Sequence, residues 1–324
     1  MRGLGVRTIR EGLRWHLIGE GPRDWSSAQA QIAAARTHGL QVAWDICHWG
    51  VPDGLQVMDP DWPARLAQFA VDAALMLQRE GCDVAAFVPV NEISFWAWAG
   101  DQKTGFHPRM PGQGNALKRQ LVAGHHAVVR ALRGAGISTP IMVCEPLIWV
   151  LPRSPSAFHQ AEAAAFIEAS WGAIDWILAD MPDGIDVLGL NFYPHNQWVL
   201  KGARVPLEDP AWRPFSALLQ GAAARFGLPI VVAETGAEEP QGDAWLGYVA
   251  DEVALAMRRG VRIEGVCVYP AADYPGWDNH RHCPCGPLGL RAGRRFVRRG
   301  QAEALRRLQA LTARQQNGLL VAQR

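Results

Sequence analysis

Two carboxylates end apolar segments in this chain. Glu92 closes Phe-Val-Pro-Val-Asn-Glu at 87–92, and Glu234 closes Ile-Val-Val-Ala-Glu at 230–234. Burying a charge without a partner is costly, so an ionisable group carried out of such a segment points to a site. A carboxyl pair is the equipment of glycosidic bond hydrolysis. One, protonated, helps the leaving oxygen, and the other, ionised, attacks or stabilises the sugar cation. The neighbours suit that division. Phe95, Trp96 and Trp98 follow Glu92, and aromatic walls raise a carboxyl pKa by desolvation. An Arg and a Tyr beside Glu234 would hold it ionised. Arg10, Trp15, Asp45, His48, Trp49, Asn91, Glu145, Asn191, Tyr193 and Tyr269 also stand at the ends of apolar runs, with Asp273 and Trp277 shortly after. Asn91 and His48 are the types that hydrogen-bond sugar hydroxyls.

The elements that must position these residues alternate. Short, β-rich apolar runs fall at Arg7–Trp15, Gln41–His48, Val84–Asn91, Pro140–Cys144, Asp186–Tyr193, Pro229–Glu234 and Ile263–Tyr269. Helical spacing fills Ser26–His38, Pro60–Glu80, Asn115–Gly134, Gln160–Asp180, Ala211–Phe226, Asp243–Arg259 and a last segment from about Gly300. Strand–helix alternation implies a parallel sheet, because each parallel neighbour needs a crossover. No Gly-rich phosphate turn follows the first strand, which argues against a doubly wound sheet. A (β/α)₈ (TIM) barrel fits better, with polar and aromatic residues at the C-terminal strand ends where such barrels keep their sites. Seven strand–helix units are visible, so the expectation is a barrel whose first unit is missing. With no repeats or linkers, residues 1–324 read as one domain. Long loops at 92–114, 145–159 and 270–299 would form the mouth.

A formal charge of +1 argues against a nucleic-acid-binding face or a polybasic membrane anchor. No apolar stretch has the length of a membrane span or a secretory leader. Cys47, Cys144 and Cys267 lie in apolar runs, as reduced thiols of a cytoplasmic protein do. Fourteen tryptophans against four tyrosines offer flat faces for sugar rings or for a core. His280-Arg281-His282-Cys283-Pro284-Cys285 is too tightly spaced for the usual zinc pattern, so no metal is expected.

These motifs resemble those of retaining glycoside hydrolases on (β/α)₈ barrels with the acid/base on strand four and the nucleophile on strand seven. The nearest match is the family 1 β-glucosidase type. His48-Trp49-Gly50-Val51-Pro52 resembles its strand-three His-Trp-Asp-Leu-Pro, and Asn91-Glu92-Ile93 its strand-four Asn-Glu-Pro. Arg10 to Trp15 resembles the strand-two Arg-Phe-Ser-Ile-Ser-Trp, Asn191-Phe192-Tyr193 the strand-six Asn-Tyr-Tyr, and Glu234-Thr235-Gly236 the strand-seven Glu-Asn-Gly. The resemblance implies a retaining β-glycosidase with Glu92 as general acid/base and Glu234 as nucleophile. Arg10 and Tyr193 would orient the nucleophile, and Asn91 would bond the sugar 2-OH. His48, Trp49, Asn191, Tyr269 and Trp277 would complete the substrate contacts. It implies no cofactor, and a carboxyl separation of roughly 5–5.5 Å. The chain departs from the pattern in three places. The strand-one Gln has no counterpart, Ile93 replaces Pro, and Tyr269-Pro270 stands where the family has a Trp platform, with Asp273–Asn279 as its substitute. An absent first strand leaves the alternative of a weakly catalytic or purely carbohydrate-binding relative.

Overall fold

Strands form where the sequence is apolar on both faces, as parallel strands covered by helices require. The computed structural model describes residues 2–102, 105–276 and 279–322. After a short 3₁₀ turn the elements are β1 (Thr8–Gly12), α1 (Trp15–Ile18), α2 (Ser26–Thr37), β2 (Gln41–Cys47), α3 (Trp62–Arg79), β3 (Val84–Val90), α4 (Ile93–Gln102), α5 (Gly114–Gly134) and β4 (Met142–Pro146). There follow β5 (Trp149–Leu151), α6 (Ala157–Asp180), β6 (Val187–Asn191), β7 (Gln197–Val199), α7 (Phe215–Phe226), β8 (Ile230–Thr235), α8 (Gly242–Arg258) and β9 (Ile263–Val268). Two antiparallel pairs, β10 (Tyr274–Pro275) with β11 (His282–Cys283) and β12 (Leu288–Arg291) with β13 (Arg294–Val297), precede α9 (Arg299–Ala322).

The chain is thus α/β, and each of the seven apolar runs holds a strand. The three stretches read as loops contain structure of their own: α4 in the first, β5 in the second, β10 to β13 in the third. Ile-Ser-Phe-Trp-Ala-Trp-Ala carries no polar face, so α4 has no periodicity to betray it.

Two compact units divide these elements. The N-terminal unit comprises Arg7–Pro146 and Glu168–Leu188. In it β1, β2 and β3 pair in parallel, with Arg10 opposite Ala43 and Asp45 opposite Val88. Isolated parallel bridges Phe87↔Ile141 and Asn91↔Cys144 join β3 to the β4 segment. Between those bridges β3 has one residue more than its neighbour, and Pro89, with no N–H for a ladder, lies there. Such an irregularity re-aims the strand end, which here is Asn91-Glu92. Trp15, Trp44, Trp62, Trp96, Phe69 and Phe87 are fully buried, and Trp15 stacks on Phe69 at 5.1 Å. Much of the tryptophan therefore builds core. Helix α5 crosses α3 closely because Gly124 has no side chain: a Cβ there would overlap the Trp62 ring.

The C-terminal unit comprises the first six residues, Leu147–Ile167 and Gly189–Arg324. Its β8 and β9 pair in parallel from Ile230↔Ile263 to Thr235↔Val268, and β5 pairs with β7. Phe192 anchors the core behind β8, stacked on Phe215 at 4.2 Å and on Trp245 at 5.5 Å. Leu4 packs with Ala302 and Leu305 of α9. Among the described residues no helix is long and apolar enough to cross a membrane.

Candidate active site

In the N-terminal unit the parallel strands bring Arg10, Asp45, Asn91 and Glu145 to corresponding ends. Arg10 grips Asp45 with two bonds, Nε to Oδ1 and Nη2 to Oδ2, both 2.9 Å. Its Nη2 also donates to Asn91 Oδ1 at 2.5 Å. Asp45 Oδ2 lies 2.7 Å from His48 Nδ1, and Asn91 Nδ2 lies 3.2 Å from His48 Nε2. The donors are set by exclusion. Arg10 can only donate, so Asn91 presents its oxygen there and its amide N–H to His48. His48 Nε2 then accepts, which leaves the ring proton on Nδ1 for Asp45. One N–H of the Asn91 amide remains for a ligand. Burial pushes the Asp45 carboxyl up, but the Arg10 charge and the His48 bond outweigh it and hold it below the usual carboxylate range.

Trp49 is tied to the same cluster: its Nε1 donates to Asn91 O at 3.0 Å. Its backbone is left-handed (φ 69°), and its ring lies 5.4 Å from Phe95 and 5.2 Å from Phe106. Trp98 packs on Phe95 at 5.8 Å and is 39% exposed, whereas Trp96 is buried and donates to His107 O.

Glu92 follows Asn91 with φ 46°. A left-handed bulky residue costs on the order of 1–3 kcal/mol and persists only where its surroundings over-determine it. Here its N–H donates to Cys144 O at 2.9 Å, and its carbonyl accepts from Trp96 N at 2.8 Å as α4 begins. Glu92 is 8% exposed. Glu145, fully buried, accepts the Ser94 N–H at 3.0 and 3.1 Å on its two oxygens.

In the C-terminal unit Glu234 lies one residue before the end of β8. Tyr193 Oη donates to Glu234 Oε2 at 2.7 Å, and Phe192 N donates to Glu234 O at 2.9 Å. The strand end is fixed further: Trp245 Nε1 donates to Thr235 Oγ1 at 3.0 Å and Tyr269 N to Thr235 O at 2.9 Å. Gly236 passes so near the Tyr269 carbonyl that any Cβ would overlap it. Tyr193 stacks on His195 at 5.2 Å, and its N–H donates to Asn196 Oδ1 at 3.0 Å. Asn191 is fully buried, while Tyr269 is 39% exposed. Trp277 lies outside the described residues. Asp273 turns inward: Arg298 Nη1 donates to it at 2.7 Å and Leu290 N at 2.8 Å. Arg281 holds Glu238 with two bonds, and Cys283 and Cys285 are buried thiols. Among the described residues no group of three or more His, Cys, Asp or Glu side chains is arranged to hold a metal.

Sequence reading assigns roles to Arg10, His48 and Asn91 separately and misses that Asp45 joins the first two. Its one signal is the i, i+3 spacing to His48 at the end of an apolar strand. Glu145 likewise stands in the sequence without a role.

No family model matches the chain, and no curated protein matches it. Solved structures do. The chain resembles β-glucosidase from Thermotoga maritima in complex with deoxynojirimycin, with a TM-score of 0.79 at 16% identity over 95% of this chain and 84% of that one. A second structure, described as family 1 β-glucosidase from Thermotoga maritima, gives 0.78 at 15% over 94% and 83%. A β-glucosidase from Exiguobacterium marinum gives 0.77 at 16% over 93% and 83%. At such identities the likeness is one of fold.

Proposed function

We propose that this chain is a retaining β-glycosidase, β-glucosidase-like in the sugar it takes, built as a (β/α)₈-type domain over residues 1–324. Glu234 attacks the anomeric carbon as the glycosidic C–O bond breaks, and the proton of Glu92 passes to the leaving oxygen. Water then gives its proton back to Glu92 and attacks the same carbon, which releases Glu234 and returns the sugar with its configuration kept.

The observation that carries this reading is the fold likeness to family 1 β-glucosidases over 94% of the chain, joined to the two strand-end glutamates, Glu92 directly after Asn91 and Glu234 accepting the Tyr193 hydroxyl. Tyr193 orients Glu234 through the 2.7 Å bond. Arg10 shares in that orientation through its charge, while its bonds to Asp45 and Asn91 hold the Asn91 amide for the sugar 2-OH. His48, Trp49, Asn191, Tyr269 and Trp277 are the further sugar contacts. The bound deoxynojirimycin and glucoimidazole of two Thermotoga structures support a small carbohydrate as substrate. Six free cysteines support a reducing, cytoplasmic location.

The test is the stereochemical course on p-nitrophenyl β-glucoside, followed by proton NMR. β-Glucose as first product is the expected result. α-Glucose as first product, or no turnover across aryl β-glucoside, β-galactoside, β-fucoside and β-mannoside, would overturn the proposal.

A further inference from the structure

Helix α4 starts immediately after Glu92, which makes Glu92 its N-cap. An N-cap side chain ordinarily accepts the N–H of the second or third helical residue. Here the N–H of the second, Ser94, goes instead to both carboxyl oxygens of Glu145, at 3.0 and 3.1 Å. Glu145 comes from the end of β4, and the residue before it, Cys144, accepts the Glu92 N–H at 2.9 Å. Two consecutive residues of one strand thus hold the chain on both sides of Glu92, and the Ser94 N–H is taken by Glu145.

We propose that Glu145 is a positioning residue for Glu92: it takes the Ser94 N–H at the start of α4 and so fixes the left-handed backbone from which the Glu92 carboxyl projects. This rests on the reading of Glu92 as acid/base. A glutamate suits the task because the first N–H groups of a helix have no intrahelical acceptors, and its carboxyl group brings two oxygens to the Ser94 N–H. Burial pushes the Glu145 carboxyl up to about 8, even with the Ser94 N–H and the Lys118 charge acting to lower it. Lys118 of α5 is itself buried and anchored, its Nζ donating to Ala169 O at 2.7 Å. Burial lowers its pKa against the charges of Glu145 and Asp175. A fully buried glutamate reaching from another strand to the N-terminus of one helix is more than that helix needs, because a serine or asparagine N-cap would satisfy the same N–H.

The test compares kcat/KM of wild type, Glu145→Gln and Glu92→Gln on two aryl β-glucosides. The 2,4-dinitrophenyl glucoside leaves without acid help, whereas the phenyl glucoside needs a proton. A misplaced acid harms only the second. General acid catalysis contributes about 10²–10⁴-fold, so Glu145→Gln is expected to lose about tenfold or more on the phenyl glucoside. On the dinitrophenyl glucoside it should stay within about threefold of wild type, a pattern that follows Glu92→Gln. Equal loss on both substrates, or none on either, would overturn the proposal. Because Glu145→Gln removes one of the two acids that act on the buried Lys118, Glu145→Gln/Lys118→Met is measured beside it and is expected to show the same selectivity. If wild type hydrolyses neither glucoside, the glycosidase reading fails, and the titration of the Glu92 carboxyl by ¹³C NMR decides the positioning alone. A midpoint moved in Glu145→Gln by about half a unit or more supports it, and an unmoved midpoint overturns it.

Discussion

Replacing Asp45 by Asn removes the charge at the centre of the Arg10–Asp45–His48–Asn91 cluster while keeping its shape. The Arg10 and Asp45 side chains are only 8% and 3% exposed, so little water is at hand to take over the guanidinium when its partner is neutralised. Breaking such a pair from one side costs about 3–5 kcal/mol, whereas replacing both charges with apolar groups of similar volume is near neutral or stabilising. Asp45→Asn is therefore expected to lose about 3–5 kcal/mol of unfolding free energy, and Arg10→Met/Asp45→Leu distinctly less. At about 2.1 cal/mol/K of unfolding entropy per residue, the 324-residue chain then melts roughly 4–7 °C lower in the single variant. The assay is thermal and urea unfolding followed by circular dichroism at pH 7.

The same pair has a signature in acid. Burial raises the Asp45 pKa, the Arg10 charge and His48 bond more than reverse this, and the folded value lies below the ordinary 3.8. A depressed carboxyl stabilises fully above its unfolded pKa, and that contribution is lost as pH falls from about 3.8 through the folded value. Wild type should lose stability over that interval more steeply than the double variant. A single variant as stable as wild type, or a double variant less stable than the single, would refute the reasoning.

Tyr193→Phe removes a hydrogen bond to a carboxylate, worth about 1.5–3 kcal/mol, and should lower kcat/KM for aryl β-glucosides roughly 10- to 150-fold with the melting temperature little changed. Glu92→Gln should spare the 2,4-dinitrophenyl glucoside in the first step but stall the second, and added azide should restore turnover as the β-glucosyl azide. Gly236→Ala forces a Cβ against the Tyr269 carbonyl. It should cost about 1–3 kcal/mol in urea unfolding and lower activity with it, because the displaced backbone lies two residues from Glu234.

The strands and most helices were legible because covered parallel strands write themselves as unbroken apolar runs, such as Val-Ala-Ala-Phe-Val-Pro-Val for β3. The helices between them carry one apolar face and end near glycines such as Gly227, which adopts the left-handed C-cap of α7. What stayed hidden obeys the same physics. Helix α4 is apolar all round, and β5, β7 and β10 to β13 are only two to four residues long, too short for any period. In the candidate site, residue type and strand-end position pick out Arg10, His48, Asn91, Glu92 and Glu234. The bonds among them are not written in either. Asp45 looks like a strand-end acid until Arg10 closes on it from the neighbouring strand, and Glu145 is a strand-end acid without a role until α4 begins against it. Asp273, read as part of a substitute sugar platform, accepts from Arg298 and from Leu290 of the β12 hairpin, bonds that its sequence position does not announce.

The central claim, that Glu234 forms a covalent bond to the sugar, is tested most directly by intact mass after incubation with 2-deoxy-2-fluoro-β-glucosyl fluoride. The fluorine at C2 slows both steps, and the fluoride leaving group keeps formation of the ester faster than its release. The account predicts one added 2-deoxy-2-fluoroglucosyl group, mapped by peptide sequencing to Glu234 and absent in Glu234→Gln. An adduct on another residue, or an unmodified mass from an enzyme that hydrolyses β-glucosides, would contradict it.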